Sequence, residues 1–310
     1  MTYKLRFHKL DGLLLLMTVF WGSNFTVVKI AVRDIPELPF NALRLLVASA
    51  AFLVTLAVAE PSSRTASAGT RAPRLTRAEW IRIVQLAIVG QLIYQLCFLG
   101  AVARTTVANS ALIFAFTPIV VALLTAVMGH ERIPATRWAG ALISLAGIYL
   151  VVGTGRGPGA TLFGDMLAVG AMLCWALYTV GSRPMLVTRS PVVVTGYSMA
   201  VGSVLYLPIA APGLRDLQWT AVRPAAWLAL LLSGLLALYV SYMIWYTAVQ
   251  SIGSTRTSMY SNVTPIVAMT VAFVWLGEPI TTRKLIGAAA VIAGLAVTKL
   301  ERQQLPPAES

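Results

Sequence analysis

Gln91, Tyr94, Gln95 and Phe98 follow one another at i, i+3, i+4 and i+7 within one apolar stretch. That spacing puts four side chains on one face of an α-helix. Two neutral amides beside aromatic rings can donate and accept at once, which suits both ends of a zwitterion without burying a fixed charge. A later stretch carries Tyr239, Tyr242 and Tyr246 on one face, with Trp245 beside them. Two further stretches hold a tryptophan seven to ten residues deep: Trp21 with Asn24, and Trp175 with Tyr178 and Ser182. Polar residues deep in apolar helices face a cavity or another helix, and the aromatic residues also suit a membrane-interface belt; the sequence leaves these alternatives open. The chemistry on offer is non-covalent binding of a small amphipathic solute. Nothing in the sequence points to catalysis or a cofactor. All eleven acidic residues fall at span ends, loops or tails, which disfavours proton coupling through a mid-membrane carboxylate. His8 and His130 give no metal constellation. The glycine run Gly153–Gly159 follows a helix rather than a strand and has Pro158 where a phosphate-binding glycine would sit.

The elements that carry these residues are apolar spans. The chain is 58% hydrophobic and 11% charged, with mean hydropathy +0.78. Soluble domains hold about 25% charged residues, so this chain could not cover a water-facing surface, and its outer solvent is lipid. Ten stretches approach the roughly 20 residues a bilayer requires: 11–32, 39–59, 80–102, 106–128, 135–153, 163–182, 192–210, 226–248, 255–276 and 282–300. The first resembles a signal peptide in its basic flank, but it is too long and has no small-residue cleavage site after it, so it is expected to be retained. The net charge of +13 sits in short loops rather than in a phosphate-binding patch, so no nucleic-acid partner is expected. With the N-terminus inside, fifteen Lys and Arg fall inside and seven outside, which predicts cytoplasmic termini. Cys97 and Cys174 lie in apolar runs and read as packing residues.

The chain repeats itself. At an offset of 147, Thr117-Pro118-Ile119-Val120 falls on Thr264-Pro265-Ile266-Val267, and Glu131 falls on Glu278. Over 117–147 there are eleven identities in thirty-one positions, where chance in this composition gives roughly two or three. At an offset of 154, Trp21 meets Trp175 and Lys29 meets Arg183. Five spans per half is an odd number, so the second half must enter the membrane from the opposite side. The expected fold is therefore all-α and integral to the membrane, with ten transmembrane helices as a 5+5 inverted-topology repeat around a central cavity. The halves are 1–153, with 60–79 as a cytoplasmic loop, and 160–300; residues 301–310 form a polar cytoplasmic tail.

Trp21-Gly22-Ser23-Asn24-Phe25 with Lys29, Ala42-Leu43-Arg44, and each Thr-Pro-Ile-Val followed by Gly129-His130-Glu131-Arg132 or Gly277-Glu278-Pro279 together resemble the EamA type of the drug/metabolite transporter superfamily. The resemblance covers nearly the whole chain. It is greatest to the bacterial exporters of aromatic and other amino acids, the YddG-like group. It implies ten helices in two inverted copies and export of small metabolites across a bacterial inner membrane, without ATP. A drug-efflux carrier of the same fold is the alternative, and a lipid-modifying membrane enzyme is a reading from another class.

Other residues extend these expectations. Pro118 and Pro265 each remove a backbone donor and are expected to kink a span or free carbonyls near the midplane, either as part of a gate or site or as tolerated kinks without function, with Asn109, Ser110, Ser258, Ser261 and Asn262 just before them. Lys29 and Arg44 lie near the outer ends of the first two spans. They either snorkel to the interface or meet a substrate carboxylate or a partner acid. Small residues at Gly140, Ser144 and Gly147, and at Gly287, Ala290 and Gly294, allow close packing. The fifth and tenth spans are therefore expected to pack on each other, or on a second copy in a homodimer.

Overall fold

The computed structural model describes residues 9–63, 75–128, 139–140, 142–143, 145–147, 149 and 159–300. Nine long helices run through the described residues: α1 Lys9–Ala31, α2 Glu37–Ser63, α3 Arg77–Arg104, α4 Val107–Val127, α5 Leu162–Leu186, α6 Pro191–Arg215, α7 Pro224–Ile252, α8 Ser254–Leu276 and α9 Thr282–Leu300. Among the described residues there is no strand, and eight helices are long and apolar enough to cross a bilayer. The ninth, α9, has 19 residues and carries Arg283 and Lys284 at its start. Most of the expected 135–153 span, the whole of the Glu131 turn and the 301–310 tail lie outside the described residues; those described between 139 and 149 are helical.

The helix starts follow side-chain capping. Thr76 and Glu79 form a reciprocal capping box at α3, and Thr106, Thr161 and Ser190 cap α4, α5 and α6. Gly253, at φ +85°, turns the chain between α7 and α8, a backbone conformation glycine adopts freely.

Two repeat-equivalent helices depart from plain α geometry in the same way. Ile88–Ile93 in α3 and Ser233–Val240 in α7 are π-helical, so their backbone bonds run i→i+5 and shift the angular register of the residues beyond them. Each segment seats a glycine against a neighbour. A Cβ on Gly90 would overlap the Tyr178 ring, and one on Gly234 would come within 3.1 Å of the Arg44 carbonyl. The spans with the repeated Thr-Pro are broken rather than kinked. In α4, Val107–Phe114 ends and Thr117–Val127 restarts with Pro118 in its first turn. In α8, Ser254–Ser258 passes through 3₁₀ residues Met259–Val263 into Thr264–Leu276, led by Pro265. Proline is tolerated there because its missing donor would be unpaired at a helix start in any case.

The packing pairs exchange between the halves. α1 lies along α8 as α5 lies along α4, α3 packs on α5 as α7 packs on α1, and α2 and α6 pack on each other. Helix ends also meet in a consistent way. Lys29, near the end of α1, reaches the Thr105 carbonyl after α3 and Glu278 after α8. Glu278 in turn accepts from the backbone of Val107 and Ala108, so α4 begins where α8 ends. Thr161, before α5, donates to the Arg104 carbonyl at the end of α3, so α5 begins where α1 ends. At the opposite end, Tyr260 donates to Asp11 and Arg189 pairs with Glu79. Gly147 approaches α9 so closely that a Cβ there would sit 2.8 Å from the Gly287 carbonyl. The small-residue faces of the fifth and tenth spans thus meet within the chain.

Candidate functional site

A cavity of about 50 Å3 lies where α1, α2, α3, α4, α5, α7 and α8 converge. That is room for a few water molecules, less than an amino acid needs. Trp21, Asn24, Tyr94, Phe98, Trp175 and Tyr242 line it, together with Arg44. Phe25, Phe114, Thr117, Ala237, Leu238, Ser261 and Thr264 complete the wall.

The aromatic wall is a continuous set of edge-to-face and tilted contacts, the arrangement ring quadrupoles favour. Trp21 and Trp175, equivalent in the two halves, stand edge to face at 5.2 Å. Trp175 continues to Tyr94 at 5.4 Å and to Tyr242 at 5.2 Å. Phe25 packs on Phe98 and Phe114 at 5.3 and 5.9 Å, closing the side of the cavity nearer Lys29. The Trp21 indole donates 3.0 Å to the Ala237 carbonyl, within the π-helical segment of α7.

The remaining expected residues stand behind this wall. Trp245 is fully buried, donates to the Thr179 hydroxyl at 3.3 Å and packs 5.1 Å from Trp21. Tyr178 shares a 2.6 Å hydrogen bond with Ser198, and Tyr246 packs on its ring at 5.2 Å. Tyr239 turns away to α2, bonding Thr55 at 2.6 Å and packing on Phe52. The Gln91–Phe98 stripe is divided. Tyr94 and Phe98 face the cavity, and Gln95 meets Arg44. Gln91 is buried against α6, so close to Gly202 that a Cβ there would overlap its own Cβ. The π-helical turn at Ile88–Ile93 is the physical reason, since it rotates Gln91 out of the register a straight helix would keep.

The two cations expected near the outer ends differ in depth. Arg44 is 1% exposed. Its Nε donates to Asn41 at 2.7 Å, Nη1 to Ser233 at 2.9 Å and Nη2 to Gln95 at 2.6 Å. Ser233 passes its own hydrogen to Asn24 at 2.7 Å. Phe40 and Phe98 lie 5.7 and 5.5 Å from the guanidinium, and their ring faces favour a cation. Each of these hydrogen-bond partners is neutral, and among the described residues no acidic one lines the cavity. Snorkelling is therefore replaced by full burial. Lys29 lies outside the lining and pairs with Glu278 at 3.4 Å.

Around Lys29 the end of the bundle is stitched by charge. Arg104 forks onto Glu37 with two 2.7 Å bonds, and Arg223 holds Asp34 at 2.7 Å. The Arg223 hydrogen bonds keep the Asp34 carboxyl below its ordinary range and raise Arg223. Asp165, in the first turn of α5, is buried and accepts from Thr105 at 2.6 Å and Asn109 at 3.2 Å.

Phe25, Phe114, Thr117 and Thr264 line the cavity without having been singled out as lining residues by their sequence spacing. Thr117 and Thr264 carried a readable signal: they are the two copies of the repeated Thr-Pro, and both face the cavity.

Comparison with known proteins agrees with the architecture. Residues 9–153 and 162–300 each match the EamA-like transporter family. The chain is 25% identical to the uncharacterized transporter YetK of Bacillus subtilis, over 91% of this chain and 84% of that one. It is 28% identical to an uncharacterized transporter of Archaeoglobus fulgidus, over 94% of this chain and 98% of that one. It is also 28% identical to a probable terminal-alkyne amino-acid exporter of Streptantibioticus cattleyicolor, over 91% and 90%. A solved crystal structure superposes with a TM-score of 0.69 over 95% of this chain and 98% of that one at 19% identity, which speaks to the fold alone.

Proposed function

The chain belongs to the EamA-like transporter family, and on that premise we propose that it is a secondary carrier. It exports neutral, chiefly aromatic, amino acids and similar small metabolites across a bacterial inner membrane by alternating access. The observation that carries the reading is the lining of the cavity by repeat-equivalent residues from both halves: Trp21 opposite Trp175, and Thr117 with Thr264. An inverted relation between the halves is supported by the helix ends, since α4 begins where α8 ends and α5 begins where α1 ends. A site shared by two copies of one unit can be uncovered toward either compartment by nearly equivalent movements. The cavity is too small for cargo in this state, so the helices must part to admit it.

The charge bias of the loops supports a Lys29 end that faces outside and termini that lie in the cytoplasm. The Lys29–Glu278 and Arg223–Asp34 pairs join one half to the other there, and we assign them as latches that must open for release. An amino-acid cargo is supported by the aromatic wall, by Arg44, and by the Streptantibioticus relative named as a probable amino-acid exporter. Efflux of cationic drugs is the weaker reading, because the described residues of the wall contribute a fixed positive charge and no carboxylate.

Purified protein in liposomes loaded with labelled phenylalanine, leucine or tryptophan is expected to release at least one of them without ATP or an imposed pH gradient. Retention of a broad amino-acid panel at the rate of empty liposomes would overturn the cargo.

A further inference from the structure

We infer that Arg44 is the anion receptor of the cavity and that the cargo class is a carboxylate with an aromatic or aliphatic body, whose α-amino group is dispensable. This rests on the carrier reading above and deepens it.

A guanidinium carries five N–H donors and always keeps its charge. Asn41, Ser233 and Gln95 take three of them, one on each nitrogen. One N–H is left on each terminal nitrogen for an incoming carboxylate. A buried cation without a counter-charge is unfavourable. Here the described surroundings are neutral: amides, the Ser233 hydroxyl, two ring faces and the nearby tyrosines Tyr94, Tyr206 and Tyr242. Three spans, α2, α3 and α7, contribute to holding the group at the cavity wall rather than letting it reach the interface. That is the arrangement of a preorganised receptor whose missing counter-ion arrives with the ligand. The Thr264 hydroxyl, also on the wall, is buried without a partner and can donate to the same anion. A cargo ammonium finds no carboxylate there, only ring faces such as those of Trp21, Trp175 and Tyr94, which hold a cation weakly. Recognition therefore falls on the acid and the apolar body.

The test uses full-length protein in proteoliposomes, with counterflow of labelled phenylalanine competed by phenylalanine, 3-phenylpropionate, phenylalaninamide and phenethylamine. 3-Phenylpropionate is expected to compete within about threefold of phenylalanine, as a weak cation–π gain from the amine implies. The amide and the amine are expected to be at least about tenfold weaker, as loss of a charged hydrogen-bond partner implies. Arg44→Gln removes the receptor and should erase that ranking. Since Arg44→Gln also takes a bonding centre out of the fold, Gln95→Glu serves beside it. It is nearly isosteric and places an internal carboxylate on Nη2, so it should keep the fold and weaken competition by both acids by about tenfold. Equal or better competition by the amide or the amine, or an unchanged ranking in Gln95→Glu, would overturn the inference. If phenylalanine shows no counterflow, the cargo reading is decided by the wider amino-acid panel above. Arg44 is then judged by thermal stabilisation of the detergent-purified protein: stabilisation by 3-phenylpropionate but not by its amide supports the receptor, and stabilisation by neither overturns it.

Discussion

Arg44 and Lys29 are both cations near the start or end of a span, and their surroundings make opposite use of charge. Lys29 sits two residues from the end of α1, partly exposed, with a carboxylate at 3.4 Å and the Thr105 carbonyl at 2.6 Å. Arg44 lies seven residues beyond Glu37, about 10 Å along the helix at 1.5 Å per residue, and is bonded to neutral groups alone. A paired cation at the rim can hold two segments together and let go, since such a bond is weak in water. An unpaired cation in the interior keeps its binding capacity for something else. The comparison separates closing the site from filling it, and each can be tested by itself.

The largest effect is expected at the filling residue. Arg44→Met should lower transport by about 100-fold, the scale of losing one partner of a buried charged contact, with loss of ligand binding by intrinsic tryptophan fluorescence; wild-type binding would break the comparison. Glu278→Gln should lower transport by about tenfold, because Glu278 also accepts from the Val107 and Ala108 amides and charged hydrogen bonds exceed neutral ones. Equilibrium binding should remain within about twofold, as expected of a rim pair. Lys29→Met removes only the partly exposed half of the latch, and its effect should stay within about fivefold; exchanging the two charges, Lys29→Glu with Glu278→Lys, should recover part of the loss. No such exchange restores Arg44→Met. The smallest effect belongs to Asp34→Asn, expected to change transport less than about twofold since its pair is exposed. The folded Asp34 carboxyl is held low by Arg223, so its contribution is present above the ordinary aspartate pKa of about 3.9 and is lost as pH falls through the lower folded value. This pair should therefore leave transport flat between pH 5 and 8.

Hydropathy and the duplicated Thr-Pro-Ile-Val made the helical class and the two-fold repeat legible, because both leave periodic or repeated marks in composition. Depth and helical spacing single out Trp21, Trp175, Tyr94 and Phe98 without separating a cavity from a neighbouring helix or the interface, and the structure brings the four together. The fate of Gln91 was not legible. A π-helical turn of six residues has no compositional period of its own, and Gln91 lies within it, packed against Gly202, while Tyr94 beyond it faces the cavity. The choice between snorkelling and burial at Arg44 was not legible for a related reason. Its partners come from residues 51 and 189 positions away as well as from Asn41, and hydropathy reports depth without reporting which face of a helix meets which neighbour. The breaks at Pro118 and Pro265 were foreseeable as disturbances, but not as helix restarts that aim Thr117 and Thr264 at the cavity.

The proposed alternating exposure rests on a five-span unit present twice in opposite senses. The most direct measurement places single cysteines at Glu131→Cys and Thr281→Cys, in a background where Cys97 and Cys174 are replaced by alanine, and labels intact cells with a membrane-impermeant maleimide. The inverted arrangement predicts labelling at residue 281 and protection at residue 131 until the membrane is permeabilised. Labelling of both, or protection of both, would contradict it.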